Sequence, residues 1–247
     1  MSQFGYQSLG FGGGGTAAAK VTSQDDLTHW WKIDDTSDSI GSATLTLNNG
    51  AAVDPSTYRF GTGSLASDGV NDFAVNLDGV TDLASAYTWS CWWRPTALGV
   101  LDRVVQFDVD ASTAAATMVG VLQHSGTYRF YHAVATGTDV NDTSAGTSAV
   151  NDWTFLAQTW DGSTVTYYRA NTDSDAGGSA SPDSSVTAES TDSASGVQAG
   201  VDSLNIGVYA SAYYGAGNVD DVRLYNVALD STAIGNIYGT NGEGDFP

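Results

Sequence analysis

Apolar and polar side chains alternate along this chain in short runs, each closed by Gly, Asn or Asp. The stretch GNVDDVRLYNVALDSTAIGNIYG, residues 217–239, shows the pattern most fully. Val219, Val222, Leu224, Val227 and Leu229 supply the apolar side of a long strand, which is expected in the middle of a sheet. A short helix follows. Asp230 is placed to cap it, and Gly239 to end it in a left-handed conformation. The helix is expected to close one edge of the fold.

Residues 87–95, YTWSCWWRP, form the most aromatic strand. Trp89, Cys91 and Trp93 point one way, and Ser90, Trp92 and Arg94 the other. Large aromatics on both faces predict a central strand of a two-layer sandwich. Further strands are expected at 104–109, 118–123, 128–133, 153–160, 164–169 and 204–208. Asp68-Gly69 and Asp161-Gly162 mark tight turns. Residues 134–152 and 171–200 read as polar surface loops. Many short strands joined by such turns predict an all-β fold, a two-sheet antiparallel sandwich or barrel with one short C-terminal helix.

Residues 1–20 differ from the rest. Phe4, Tyr6, Leu9 and Phe11 are separated by Gly, Gln and Ser, and four glycines follow. Such a segment cannot form a core. It is expected to be an anchor arm whose aromatic side chains dock on a neighbouring copy in a homo-oligomer. The domain itself is expected over 21–240, with a tail at 241–247.

The 247 residues carry 28 acidic and 8 basic side chains, a net charge of −20. A field of that sign repels nucleic acid and anionic membranes, so neither is an expected partner. The single cysteine, Cys91, excludes an intrachain disulfide and lies in an apolar run, where a thiol is inert. No charged and then apolar leader is seen, so no signal peptide is expected.

Four segments, taken in order, resemble the laminin-G-like, concanavalin A-like jelly roll: FGTGSLASDGVNDFAVNL, YTWSCWWRPTA, NDWTFLAQTWDGSTVTYYRAN and the 217–239 stretch. The likeness runs over about residues 28–240. Two departures stand out. No Gly follows Asn171, where the family has an Asn-Gly or Asp-Gly pair, and Ala66-Ser67 replaces an apolar pair. The resemblance implies a jelly roll that binds carbohydrate or protein, often with a structural calcium ion. The start MSQFGYQSLGFGG resembles the arms of some tailed-phage virion proteins. It implies a virion location and a surface or tail-associated role in which the domain touches host glycans. The alternatives are a free carbohydrate-binding module or adhesin domain and, less favoured, a glycoside hydrolase.

Hydrolysis needs two positioned carboxylates. The glutamates are Glu189, in a Ser/Asp-rich stretch, and Glu243, in the tail. Neither is read on a strand, so no enzyme activity is expected. Calcium takes six to eight oxygens. Asp38, Asp72, Asp220 and Asp221 are the candidate ligands, the first and last by the family's arrangement. For sugar, rings beside amides and carboxylates are required. Trp92, Tyr213 and Tyr214 are the foremost candidates, with Tyr131 and Tyr168 behind them. Trp89, Trp93, Trp153 and Trp160 are assigned to the core.

Overall fold

The computed structural model describes residues 26–239 apart from 81, 82, 84, 100, 110–116, 134–139, 143–145, 172–185, 197–199, 210 and 211. The expected arm, with Phe4, Tyr6, Leu9 and Phe11, and the tail at 241–247 lie outside the described residues.

The strands, in chain order, begin with β1 (Leu27–Trp31), β2 (Thr46–Asn48), β3 (Ala52–Asp54), β4 (Ser64–Asp68) and β5 (Phe73–Asn76). The middle of the chain gives β6 (Tyr87–Pro95), β7 (Asp102–Asp108), β8 (Met118–His124), β9 (Thr127–Ala133) and β10 (Val140–Asp142). Then come β11 (Thr154–Trp160), β12 (Thr164–Asn171), β13 (Thr187–Ser193) and β14 (Ser203–Ile206). A short hairpin, β15 (Val208–Tyr209) and β16 (Tyr213–Tyr214), precedes β17 (Ala216–Tyr225) and the helix α1 (Ser231–Gly239).

One sheet has eight strands in the order β13-β12-β11-β6-β17-β4-β3, with β1 also paired to β17. The other has seven, β10-β9-β8-β7-β14-β5-β2. The pairings of both sheets are antiparallel, as in a concanavalin A-like jelly roll. The central place expected for the 217–225 strand is its place here: β17 lies between β6 and β4.

Period-two alternation sends one side chain of each pair inward, and the inward set makes the main core. Trp31, Trp89, Trp93, Phe107, Phe130 and Tyr167 are all buried there. The core also contains a polar bridge between the sheets. Tyr87 Oη lies 2.7 Å from Nδ1 of His132, on the opposite sheet, and accepts from Gln158 Nε2 at 2.7 Å. Pairing inside the core removes the cost of burying these groups alone and sets the register of one sheet against the other.

A second core lies on the outer face of the eight-stranded sheet. It contains Trp92, Phe155, Tyr168 and Tyr225, covered by Leu229, Ala233, Ile234 and Ile237. The helix therefore covers a face of this sheet and does not close an edge. Asp230 caps it as expected: its Oδ1 accepts from Ala233 N at 2.8 Å. Gly239 is the last helical residue, not a left-handed residue beyond the helix.

Trp92 corrects a second expectation. Its ring is fully buried against Phe60, Phe155 and Tyr238, with the Arg59 guanidinium 4.7 Å from its centroid. It points away from the main core, as read, but into the second one, and so offers no platform to a sugar.

The spacing of β17 has its own device. Val219, Val222 and Leu224 all face the main core, which strict alternation forbids. An irregularity between Asp220 and Arg223 inserts the extra residue, and Asp221 takes φ +49° there. Asp221 Oδ1 then accepts from Trp30 Nε1 at 2.6 Å and from Arg223 Nε at 2.9 Å. Asp220 Oδ2 accepts from the backbone N–H of Arg59, at 2.6 Å, and of Phe60, at 3.0 Å. That carboxyl ties the segment before β4 to the sheet.

Two polar segments read as loops contain strands. β13 pairs with β12 and β10 with β9, each at the outer limit of its sheet. An edge strand is paired on one side only, so a polar sequence such as TAESTDS satisfies it. Glu189 thus lies on a strand after all, where it pairs with Arg169 at 3.2 Å.

Trp92→Ala is expected to cost about 3–5 kcal/mol, the usual loss for a large buried aromatic. Thermal unfolding should show the melting temperature lowered by about 10 °C, and an unchanged value would contradict the second core. Asp220 generates a pH dependence. Burial, outweighing the Phe60 and Arg59 amides and reinforced by Asp221, pushes its carboxyl up to about 8 from 3.8. Between these values the folded chain keeps a proton that the unfolded chain has lost. Stability from this group is therefore full at low pH and lost as pH rises toward 8. Asp220→Asn, neutral throughout, should show a smaller loss of stability than the wild type between about pH 5 and pH 9 in denaturant titrations. Equal losses would contradict the assignment.

Candidate functional site

β7 has the sequence DRVVQFD. Val104, Val105 and Phe107 face the main core. An irregularity between Arg103 and Val105 absorbs the extra inward residue. Arg103, Gln106 and Asp108 thereby come to one row on the outer face of the seven-stranded sheet. At Gly120, which pairs with both Gln106 and Tyr131, β8 contributes no side chain to this row. A Cβ there would come within 2.3 Å of the Val105 carbonyl oxygen, so the close approach of the two strands requires glycine.

The row is linked end to end. Arg103 Nη1 donates to Gln106 Oε1 at 3.2 Å and also to Tyr131 Oη. Gln106 Nε2 donates to Asp108 Oδ2 at 2.7 Å. Asp108 Oδ1 accepts from Ser203 Oγ at 2.6 Å and from Asn205 Nδ2 at 3.0 Å, both on β14. Cation and carboxylate are thus joined through an amide without touching.

Aromatic rings flank the cation. The Arg103 guanidinium lies 4.8 Å from the centroid of Tyr131 and 4.2 Å from that of Tyr209. Tyr209 stacks on Tyr213, with centroids 6.0 Å apart and planes 21° from parallel. Tyr213 is 39% exposed and forms the outer rim. Tyr214, half-buried, lies against Phe73 with centroids 6.3 Å apart. Burial lowers the Arg103 pKa, against the opposing effect of Tyr131, Tyr209, Tyr213 and the Asp108 carboxylate. Burial likewise raises the Tyr131 phenol, with Arg103 pulling the other way.

The expected site residues fall into three groups. Tyr131, Tyr213 and Tyr214 lie on or beside this face, Tyr213 as its exposed member. Trp92 and Tyr168 lie in the second core beneath the helix. The four aspartates do not converge: among the described residues no three His, Cys, Asp or Glu groups come together to hold a metal. Asp38 Oδ1 accepts from the amides of Trp30, Ile40 and Gly41 at 3.0, 3.1 and 3.0 Å. Its Oδ2 accepts from Ala43 N at 3.2 Å and meets His29 Nδ1 at 2.6 Å. Burial would raise this carboxyl, but His29 and the amides together hold it well below the ordinary range. Asp72 Oδ1 accepts from Gly50 N at 2.7 Å, across the turn between β2 and β3. Asp38, Asp72, Asp220 and Asp221 thus each accept from their own surroundings, while the buried Asp220 Oδ1 and Asp221 Oδ2 have no hydrogen-bond partner.

Sequence reading passed over Arg103, Gln106, Asp108, Asn205 and Tyr209. The alternation of Arg, Gln and Asp with Val and Phe was visible in β7. What it lacked was the hairpin that carries Tyr209 over the row.

A search of curated protein sequences finds no match. Solved structures share the fold. Domain 4 of AbnA, a GH43 extracellular arabinanase from Geobacillus stearothermophilus solved with arabinotriose, is 17% identical with a TM-score of 0.61; the match covers 86% of this chain and 98% of that domain. The binding domain of Paraclostridial Mosquitocidal Protein 1 is 12% identical with a TM-score of 0.63, over 87% of this chain and 52% of that one. The botulinum neurotoxin serotype G binding domain is 10% identical with a TM-score of 0.56, over 86% and 50%. The chain therefore spans nearly all of the arabinanase domain and about half of each toxin domain. The family model described as the concanavalin A-like lectin/glucanases superfamily, of laminin-G type, matches residues 68–235. Two antiparallel sheets in jelly-roll order and a family match over most of the chain have one meaning: this protein belongs to the concanavalin A-like lectin/glucanases superfamily.

Proposed function

We propose that this chain is a non-enzymatic glycan-binding domain whose site is the outer face of the seven-stranded sheet around Arg103, Tyr131, Tyr209 and Tyr213. One observation carries the reading. The Arg103 guanidinium is flanked by the rings of Tyr131 and Tyr209 beside the exposed Tyr213 at the rim, and is linked to the buried amide of Gln106 and carboxylate of Asp108. Sugar rings stack their apolar faces on aromatics, and their hydroxyls take up such polar groups. The arabinanase domain, a likeness of fold, was solved with a bound arabinotriose.

The non-enzymatic part of the reading is supported by the state of two carboxylates, Asp108 and Glu189. Asp108 is held by three side-chain donors, and Glu189 is paired with Arg169. Neither has the free, poised partner that glycoside cleavage requires.

The Phe- and Gly-rich arm anchors the domain among neighbouring subunits of a virion, and the sandwich is displayed toward host glycans. The support here is the sequence of residues 1–20 and its resemblance to phage arms.

Titration calorimetry of the full chain against a panel of oligosaccharides is expected to show selective binding. Tyr213→Ala should weaken it about tenfold, ~1.4 kcal/mol, with the melting temperature unchanged. A panel without selective binding would overturn the glycan reading. Removal of residues 1–15 is expected to abolish incorporation into particles, and undiminished incorporation would overturn the anchoring role.

A further inference from the structure

We infer that the glycan this face takes is acidic, a sugar whose carboxylate pairs with Arg103. The inference rests on the glycan-binding reading and specifies its ligand.

Arg103 is only 7% exposed. Among the described residues no carboxylate lies in ion-pair contact with it. Its Nη1 is committed to Gln106 and Tyr131, while Nε has no hydrogen-bond partner. A nearly buried cation whose nearest carboxylate, Asp108, acts on it only at a distance remains costly, and an arriving carboxylate in direct contact relieves that cost. Asp108 offsets this only in part and without contact: its oxygens accept from Gln106, Ser203 and Asn205, and Gln106 stands between it and the cation.

The geometry favours a carboxylate over a hydroxyl. The guanidinium is fixed at its Nη1 end and stacked between rings, which leaves its Nε edge for the planar, side-on pairing that carboxylates make. The half-buried Tyr209 ring packs on the guanidinium, its centroid 4.2 Å away, and offers a stacking surface for the sugar ring next to Tyr213. The net charge of −20 bears on selectivity. It repels extended polyanions in general. The carboxylate is therefore read singly, at one built position, and is not gathered by a basic surface.

Two kinds of sugar carry this group, the uronates and the sialates. Titration of the full chain with methyl galacturonoside and with its neutral methyl ester, each carrying one carboxyl position, and with sialyllactose and lactose, separates them. One acidic probe is expected to bind at least about tenfold tighter than its neutral counterpart. That preference should disappear in Arg103→Gln and be only partly restored in Arg103→Lys, which keeps the charge but loses the planar fork. Circular dichroism confirms that each variant is folded, and the wild-type comparison of acidic with neutral probes decides the matter should a variant fail to fold. Equal binding of acidic and neutral probes overturns this inference and leaves the glycan reading standing. Persistence of the preference in a folded Arg103→Gln also overturns it. Binding of no probe, acidic or neutral, overturns both.

Discussion

The eight-stranded sheet is buried on both sides, and the organisation of the molecule follows from that constraint. Its inner face holds the indoles of Trp89 and Trp93, and its outer face holds Trp92 under α1 and the segment around Phe60. The other sheet has no helix on its outer face at β7; there the rings of Tyr131 and Tyr209 and a row of buried polar groups take that place. Apolar burial supplies most of the stability of the first sheet. The second gives part of its outer face to a linked row of buried polar groups, whose mutual hydrogen bonds offset most of the cost of burying them.

Both sheets place their charged outer-face residues with the same device. In β17 the irregularity at Asp221 keeps Val219 and Val222 facing inward and sends Asp220 and Arg223 outward. In β7 the irregularity after Arg103 does the same for Val104 and Val105 on one side, and for Arg103 and Gln106 on the other. One inserted residue shifts the alternation by a step, so apolar pairs adjacent in sequence can share the core. The two outcomes differ. On β17 the acids are taken up by an indole, an arginine and backbone amides, and become structural. On β7 the arginine keeps an unpaired edge.

Much of the fold was legible in the sequence. The two-faced pattern of 87–95, the hairpin at Asp161-Gly162 and the cap at Asp230 are local signals, and each corresponds to an element seen here; Asp68-Gly69, read as a hairpin signal too, instead leads from β4 to β5 in the other sheet. The edge strands β10 and β13 were not legible, because a strand paired on one side needs no apolar alternation. Trp92 was assigned to the correct side of its strand and to the wrong environment. Whether an outward ring meets solvent or a helix depends on a segment more than a hundred residues away. The site was legible in part for the same reason: Tyr213 and Tyr214 announce themselves next to glycines, whereas Arg103 acquires its meaning from Tyr131 and Tyr209, which only the folded chain brings together.

The account turns on which sheet face meets the ligand. Hydrogen exchange of the full chain, followed by mass spectrometry with and without a saturating bound oligosaccharide, tests this directly. The account predicts slowed exchange in 102–108, 127–133 and 203–214, with 88–94 and 231–239 unchanged. Protection centred on the helix and the strand beneath it, with none in the β7 row, would contradict it.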